Sequence, residues 1–497
     1  MKLKISNIIN FYSIAFLLII LFGFFLRIQG VLTNSFAFTY DVGRDMLALQ
    51  LIVNDLDIPF LGPTTGIPGL YYGPWWYYLL TPFFFIFGGD SQGIAFVMVM
   101  LGVATIALSY YLGLKIGGKF IGLCFAVIIS VSHVMISLSS QIWNPNIAPL
   151  FVILVFILLT KIYSDKKTSP ITYLFLGVLL SLCVDIEIFF GIFFTIGIVL
   201  SIVFIKKLKF SVKEILLFIL GNLIILLPRI LFELKNHYLL TRSLILFFEL
   251  KSQKKEFIET FMNRINVFLN HFSSTITGGD RNIGIGLIIL IFIVLFFLYK
   301  KATHLEKNFI TTSAVVFASF FLGTAFFGDD IWPHYLVGLP ILFILVFMIS
   351  LDLITKKFKL FIGCLIIIAI FLINFNPVQY SIDLQKPLWE GDAAVYRNQL
   401  AVIDYIYSEA DGRRFKYVVF TPVAHDYTYR YLFSWYGPKK YGFKPSLRAD
   451  TAYFILEPDH QHPLRLRDWL IDRAGDGKVV KSEVIKGGIT VQTRKVD

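Results

Sequence analysis

The sequence predicts a polytopic α-helical membrane protein that ends in a small α/β domain outside the bilayer. Of the 497 residues, 57% are hydrophobic and only 16% are charged, which excludes an ordinary soluble globular protein. Apolar runs of about 17–25 residues, long enough to cross a hydrocarbon core of about 30 Å as helices, recur over most of the chain. After residue 375 the composition changes to frequent charges and alternating strand-like runs. We therefore divide the chain into a transmembrane domain, residues 1–375, and an extracytoplasmic α/β domain, residues 376–497.

Basic residues between the apolar runs predict the orientation. Lysine clusters alternate with acidic or nearly uncharged turns, and basic loops are enriched on the cytoplasmic side. This alternation predicts about eleven spans, with the N-terminus inside and the C-terminus outside. The predicted spans are residues 11–26, 94–114, 120–137, 147–162, 173–184, 189–205, 215–231, 283–299, 309–327, 336–351 and 360–375. Because the lysines mark orientation, the formal charge of +12 does not require a nucleic acid partner.

One apolar run, "GPWWYYLLTPFFFIFGG" at residues 73–89, is excluded from the spans. It is short, it is interrupted by Pro74 and Pro82, and it is rich in Trp and Tyr, which favour the membrane interface. Counting it as a span would also place every later lysine cluster outside. We predict a helix in the outer interface, so residues 29–92 form one large external loop that contains Asp41. A second external segment, residues 233–280, has amphipathic spacing typical of one or two surface helices.

The extracytoplasmic domain shows both strand and helix patterns. Four alternating runs predict strands: "FKYVVFT", "TAYFILEP", "VVKSEVI" and "GITVQT". The run "YRNQLAVIDYIYSEA" has helical periodicity. These patterns predict a small α/β domain of about 120 residues.

Several motifs together resemble a known family. They are "TYDVGRDM", "GPTTGIPGLYYGPWWYYLLTPFFFIFGG", "SSQIWNPNIAP", "LPRILFELKN" and "WPHYLVGLP", in this order along the membrane part. The arrangement is similar to the GT-C superfamily of membrane glycosyltransferases. The nearest branch is that of the protein O-mannosyltransferases and aminoarabinose transferases, glycosyltransferase family 39 and its relatives. The resemblance implies a GT-C fold, a polyprenyl-phosphate-linked sugar as donor and the first Asp of the external loop, here Asp41, as catalytic base.

The sequence differs from the family pattern at two places. The Asp-Glu pair of the family is Asp41-Val42 in this chain. The Lys-Pro-Pro that helps to hold the donor phosphate in the aminoarabinose branch is replaced by Tyr72-Gly73-Pro74, so Tyr72 is the candidate substrate contact at that position.

The reaction implied by the family explains which residue types should surround Asp41. A sugar on a lipid phosphate already has a good leaving group, so transfer needs positioning, charge stabilisation and removal of the acceptor proton. A carboxylate can take that proton. The departing phosphate needs cationic or hydrogen-bonding groups, and the external candidates are Arg44, Arg229, Arg242, His334 and Tyr335.

Each candidate has a simpler interpretation. Asp41 is also placed to cap the following helix, and Arg44, three residues later, to form an ion pair with it. Arg229 and His334 lie at helix ends, where cations commonly reach for lipid headgroups.

The remaining candidates are equally open. Asp45 is either structural or a substrate contact. Asp185 and Glu187 form either a solvated turn or a site for a divalent cation or sugar hydroxyls, with Asp329 and Asp330 a similar turn. Trp143 and Asn144 either anchor the interface or line the acceptor side, and His460 and His462 are solvated loop residues.

The sequence therefore predicts a plasma (inner) membrane glycosyltransferase that moves a sugar to a protein, lipid or glycan acceptor on the outer face, with inversion at the anomeric carbon. The alternative is a transporter or flippase of lipid-linked sugars or polysaccharide. Paired broken helices and internal repeats, which many transporters show, are not evident in the sequence. A non-catalytic surface-binding protein is a third interpretation, which leaves the many spans unexplained.

Overall fold

The computed structural model describes residues 2–164, 168–207, 209–250, 257–325, 331–375 and 392–496. Helices dominate the membrane part. They are α1 (Lys2–Leu32), α2 (Tyr40–Asp55), α3 (Trp75–Ile86), α4 (Ser91–Val131), α5 (His133–Ser140), α6 (Ala148–Ile162), α7 (Ile171–Ile186), α8 (Ile188–Lys206), α9 (Val212–Lys235), α10 (Leu239–Leu250), α11 (Phe257–Ile276), α12 (Arg281–Leu298), α13 (His304–Ala325), α14 (Leu339–Phe358) and α15 (Leu360–Asn374).

Every predicted span falls on a helix. Within the described residues, 8 helices are long and apolar enough to cross a membrane, and α7 and α15 are shorter apolar helices. One of the 8, α4, contains the predicted span 94–114 and most of the span 120–137, which continues into α5; its backbone leaves the helical region between the two, at Gly117 and Gly118. The number of helices that cross the bilayer remains a prediction. Asp329 and Asp330 lie outside the described residues.

The segment at residues 73–89 forms the short helix α3, with 12 residues and Pro82 inside it. At about 1.5 Å per residue it spans about 18 Å, less than the hydrocarbon core. Its first turn contacts α2, because the Trp76 indole donates a hydrogen bond to Asp45 over 2.8 Å. The turn after its last residue contacts the C-terminal domain, where Trp435 donates to the Gly88 carbonyl over 2.7 Å. One end of α3 therefore contacts α2 and the other contacts the C-terminal domain, and these two parts pack on each other. This is expected for a helix that does not cross the membrane.

The C-terminal domain is a four-stranded mixed sheet with helices. Its strands are β1 (Lys416–Phe420), β2 (Thr451–Leu456), β3 (Lys478–Val484) and β4 (Thr490–Lys495), and its helices are α16 (Tyr396–Ala410), α17 (Tyr427–Ser434), α18 (Tyr436–Tyr441) and α19 (Pro463–Asp472). The strand order is β1-β2-β4-β3, with β1 and β2 parallel and the other pairs antiparallel. The four predicted strands and the helix at 396–410 are confirmed.

This domain packs directly on the external loop. Ala37 and Val395 form an antiparallel bridge, and the Phe38 amide donates to the Ala394 carbonyl over 2.8 Å. One buried hydrophobic core contains side chains of α2, α3, α16 and the sheet. Gly43 makes the approach of α2 to α17 possible, because a Cβ there would lie 2.4 Å from the backbone nitrogen of Thr428. The loop and the C-terminal domain thus lie on the same side of the membrane.

The described residues of the segment 233–280, which the sequence predicts to be external, include the helices α10 and α11. Residues of α10 are mostly exposed. The prediction of a surface helix is wrong for one face of α11, because Phe272 and Ile276 are buried in the membrane-domain core. Arg264 is also buried and donates to the Thr324 carbonyl of α13 over 3.1 Å. Amphipathic spacing alone does not distinguish a helix that packs on protein from one that packs on lipid.

Candidate active site

Asp41, Arg44 and Asp45 form one ion-pair cluster on the first turns of α2. The Arg44 guanidinium contacts an Asp41 oxygen at 2.7 Å and an Asp45 oxygen at 2.8 Å. Its Nη1 also donates to the Thr64 hydroxyl over 3.0 Å. Thr64 belongs to a small hairpin in the external loop, bridged at Tyr71. The predicted ion pair is confirmed, and each guanidinium nitrogen has a partner within the protein.

Asp45 is a structural residue in this arrangement. Its side chain has no exposed area, and its two oxygens accept hydrogen bonds from Arg44, Trp76 and Tyr77. A buried carboxylate with this many donors joins α2 to α3. The geometry therefore favours the structural alternative over a substrate contact at Asp45.

Asp41 has a different environment. Its side chain keeps 23% of its area exposed. Burial raises the pKa of Asp41 above its ordinary value, whereas the neighbouring Arg44 lowers it and Asp45 raises it again. The interpretation of Asp41 as the helix cap is wrong, because α2 begins at Tyr40 and its N-cap is Thr39. Asp41 is thus an accessible carboxylate held in place by one arginine.

The accessible side of Asp41 opens into a cavity of about 690 Å³ between the two domains. We call this the interdomain cavity. Its lining consists of residues 37–42, 141–143 and 392–394, with Gln399, Thr421, Pro422, Val423, His425, Thr428, Glu457, Pro458 and His460. Trp143 lines it, which agrees with the alternative that places Trp143 on the acceptor side.

A second polar cluster lies around the start of α3. The Tyr72 hydroxyl donates to Glu187 over 2.8 Å, and the Trp75 backbone amide donates to Asp185 over 3.0 Å. Both carboxylates are fully or almost fully buried, so the solvated-turn interpretation of Asp185 and Glu187 is wrong. Burial raises the pKa of Glu187 to about 8, against the hydrogen bonds from Tyr72 and Phe189.

Gly73 explains the replacement of Lys-Pro-Pro at this point. Its amide donates to the Asp185 carbonyl over 2.9 Å, and a Cβ at residue 73 would lie 1.3 Å from the Asp185 carboxylate. Only glycine leaves room for that carboxylate to reach the first amide of α3. Burial raises the pKa of the Tyr72 hydroxyl, and the neighbouring Glu187 raises it further.

Arg229 approaches this second cluster from α9. Its Nη2 lies 3.7 Å from an Asp185 oxygen, too far for a hydrogen bond. Its Nε and Nη2 find no acceptor among the described residues, although they are buried. Its guanidinium therefore turns towards the protein rather than towards lipid headgroups, and it has donors available for a ligand.

The remaining predicted residues surround these clusters. Tyr335 stacks on Phe189 with 4.5 Å between ring centroids, and His334 packs against Trp143 at 5.1 Å. Asn144 is buried and donates to the Ile186 carbonyl, so it supports the turn before Glu187. Arg242 is exposed on α10. It is not among the residues that make the contacts of either cluster described above.

The acidic residues in the described part of the chain are candidates for clusters of metal-binding side chains. No group of three or more His, Cys, Asp or Glu side chains there is arranged to hold a metal ion. Glu187 is occupied by Tyr72, and Asp185 by the start of α3.

Sequence reasoning missed the contribution of the C-terminal domain to the site. Glu457, Gln399 and His425 line the interdomain cavity together with Asp41, and so does His460, which was interpreted as a solvated loop residue. One signal was available, because Glu457 directly follows the strand-like run at 451–456, where parallel strands commonly present ligand-binding groups.

Comparisons with known proteins identify the fold. No family model and no curated protein matches the sequence. The crystal structure of ArnT from Cupriavidus metallidurans bound to undecaprenyl phosphate is similar with a TM-score of 0.61 and 11% identity, over 97% of this chain and 98% of that chain. The apo state gives a TM-score of 0.58 and 10% identity, over 99% and 98%. An oligosaccharyltransferase from Archaeoglobus fulgidus gives a TM-score of 0.48 and 12% identity, over 85% and 59%.

The similarity to ArnT covers both domains. The structure is a GT-C fold with a small C-terminal sheet domain, as the motifs predicted. At this level of identity the match establishes the architecture, and the chemistry has to be argued from the residues of this chain.

Proposed function

We propose that this protein is an integral membrane glycosyltransferase of the plasma membrane. It moves a sugar from a polyprenyl-phosphate donor to an acceptor on the outer face, with Asp41 as general base. The observation that carries the proposal is the position of Asp41, an accessible carboxylate on an ion-paired helix turn at the wall of the interdomain cavity. The shared fold with ArnT, a protein solved with undecaprenyl phosphate, supports a lipid-linked donor.

The proposed reaction is a single displacement. Asp41 takes the proton of the acceptor hydroxyl while that oxygen forms a bond to the anomeric carbon. The bond from the anomeric carbon to the phosphate oxygen breaks, and its electron pair leaves with the polyprenyl phosphate. Attack from the face opposite the leaving group inverts the anomeric configuration. Arg44 holds Asp41 in position and is itself fully engaged, so it is a positioning residue.

The phosphate of the donor is assigned to the second cluster. Charge accumulates on the phosphate as the bond breaks, and buried donors that are already oriented stabilise this charge most effectively. Arg229 has two such N–H groups without a partner among the described residues. The Tyr72 hydroxyl belongs to the same cluster through Glu187, and Tyr335 packs on Phe189 and against His334. These residues form the proposed donor side.

Transfer and transport give different products. Purified protein is incubated with a panel of radiolabelled polyprenyl-phosphate sugars and a mixture of outer-envelope acceptors. The proposal expects loss of the sugar from one lipid donor, with release of polyprenyl phosphate. If reconstituted vesicles instead show intact donor moved between leaflets, with no sugar transferred for any donor, the protein is a flippase.

A further inference from the structure

The carboxyl ends of the two parallel strands line the same interdomain cavity as Asp41. Thr421 directly follows β1 and Glu457 directly follows β2, and both side chains line the cavity. The Glu457 amide donates to the Phe420 carbonyl over 3.1 Å, which fixes the two strand ends side by side. Ligands of α/β domains commonly bind at this edge of a sheet. The C-terminal domain thus contributes a binding wall, beyond covering the membrane domain.

This wall presents buried hydrogen-bond acceptors. Glu457 is 8% exposed, and its Oε1 accepts from the Tyr429 hydroxyl over 2.9 Å. Gln399 is 2% exposed, and its Nε2 donates to the Phe38 carbonyl over 3.4 Å. The other polar atom of this side chain, Gln399 Oε1, accepts no hydrogen bond from the described residues. A buried acceptor without a partner is costly unless a ligand or water supplies the hydrogen.

Aromatic rings and the absence of strong cations define the rest of the cavity. Tyr40 and Trp143 line it, and Tyr40 packs beside His425 with 5.7 Å between ring centroids. Among the described lining residues there is no lysine or arginine. A phosphorylated or otherwise anionic acceptor would therefore bring its charge beside Asp41 with no lysine or arginine of the lining to balance it.

We propose that the acceptor is a neutral, hydroxyl-rich saccharide, bound between Asp41 and Glu457. Its hydroxyls donate to Glu457 and to the free Gln399 oxygen, and its less polar ring faces lie against Tyr40 and Trp143. The inference rests on the proposed function, since it names the acceptor class of the same site. It also separates the two carboxylates by role, with Asp41 at the reacting hydroxyl and Glu457 as a positioning residue.

Binding without donor tests this inference independently of transfer. The full-length protein is placed in phosphatidylcholine nanodiscs, because alkyl-glycoside detergents carry the ligand chemistry under test. Calorimetry then compares three sets of probes: neutral tri- to pentasaccharides, the same saccharides bearing a phosphate, and short Ser- and Thr-containing peptides. We expect saturable binding of at least one neutral saccharide, and weaker binding of its phosphorylated form.

Variants locate the binding site. Glu457→Gln keeps the side-chain size and should weaken saccharide binding about tenfold. Val423→Trp fills the cavity from a rim position that is 49% exposed, so it should abolish binding without disturbing the core. The matched control is Glu409→Gln, a half-buried carboxylate of the same domain that is paired with Lys481 and does not line this cavity. It should bind like the wild type.

Two results would overturn the inference: binding of the peptides or phosphorylated saccharides in preference to every neutral saccharide, or unchanged affinity in both cavity variants. Saccharide binding that persists in a protein unable to use any lipid donor would instead contradict the proposed function and leave the acceptor site standing.

Discussion

At the scale of single residues, two carboxylates four positions apart on α2 have different environments. Asp45 is enclosed by Arg44, Trp76 and Tyr77, whereas Asp41 shares the same arginine and retains an open face. The raised pKa of Asp41 brings it closer to that of a general base working near neutral pH. The neighbouring aspartate thus anchors the arginine that orients the base.

Arg229→Ala should lower the maximal rate of sugar transfer by about tenfold or more, because the lost guanidinium donors act on charge that develops as the phosphate leaves. Donor-concentration curves measure the maximal rate and the apparent donor constant.

His334→Ala should lower the maximal rate less than Arg229→Ala, since His334 contacts rings rather than a charge. The matched control is Arg281→Ala, an exposed arginine at the start of α12. A change confined to the apparent donor constant would make Arg229 a ground-state anchor, and wild-type kinetics would remove it from the phosphate site.

Glu457 should make the stability of the C-terminal domain depend on pH. Burial raises its pKa to about 7, whereas an unfolded glutamate titrates at about 4.3. Between these values the folded state holds a proton that the unfolded state has lost. Stability therefore falls as pH rises through this window, and the loss is complete above it.

We expect the melting temperature of the wild type to fall between about pH 5 and about pH 8, and that of Glu457→Gln to change less. Thermal unfolding followed by intrinsic fluorescence across this range provides the measurement. Glu409→Gln, on the exposed side of the domain, should retain the wild-type slope. Equal slopes for wild type and Glu457→Gln would show that Glu457 ionises normally in the fold.

At the scale of elements, close approach between backbones holds the site together. Gly43 lets α2 contact the start of α17, and Gly73 lets Asp185 reach the start of α3. These two positions connect the membrane helices, the external loop and the C-terminal domain. A side chain at either position would force the packed elements apart.

Gly43→Val should loosen the docking of the C-terminal domain, because its Cβ would lie 2.4 Å from the Thr428 nitrogen and 2.6 Å from the Tyr427 carbonyl carbon. We expect a cost of about 1–3 kcal/mol and a marked loss of sugar transfer. Hydrogen exchange of α2 and α17 reports the docking. Gly66→Ala is the control, since a Cβ there meets no atom within 4 Å. Unchanged protection in Gly43→Val would mean that the two helices can separate without consequence.

Local hydrophobic periodicity predicted most helices and strands, but it could not predict contacts between residues that are far apart in the sequence. Alternating residues at 451–456 and helical spacing at 396–410 reflect local burial, so both elements were predictable. By contrast, Arg27 is buried in α1 and donates to carbonyls of Ser130 and Ile129. Glu457 reaches the cavity only through the packing of the two domains. The partners of Arg27 and the position of Glu457 therefore cannot be predicted from the residues next to them in the sequence.

At the scale of the whole molecule, contacts constrain the topology. The C-terminal domain packs against α2 and against the turn after α3. If α3 crossed the bilayer and the other predicted spans were kept, Asp41 and the C-terminal domain would lie on opposite sides. Their contact therefore supports a noncrossing α3, and the lysine pattern assigns the shared side to the exterior.

Cysteine labelling tests this topology in a background without Cys124, Cys183 and Cys364. An impermeant thiol reagent added outside should label cysteines at position 90 and at position 447, where Leu447 is 94% exposed. A cysteine at position 166, between α6 and α7, should be labelled only after permeabilisation. Labelling of position 90 from the cytoplasm alone would show that α3 crosses.

The most direct test of the central claim compares Asp41→Asn with the wild type in sugar transfer from the preferred polyprenyl-phosphate donor. The substitution keeps the size of the side chain and removes the basic oxygen, so transfer should fall by at least about 10²-fold while the melting temperature stays near that of the wild type. Asp57→Asn, an exposed aspartate of the same loop, should transfer normally. Near wild-type turnover by Asp41→Asn would contradict the assignment of the base.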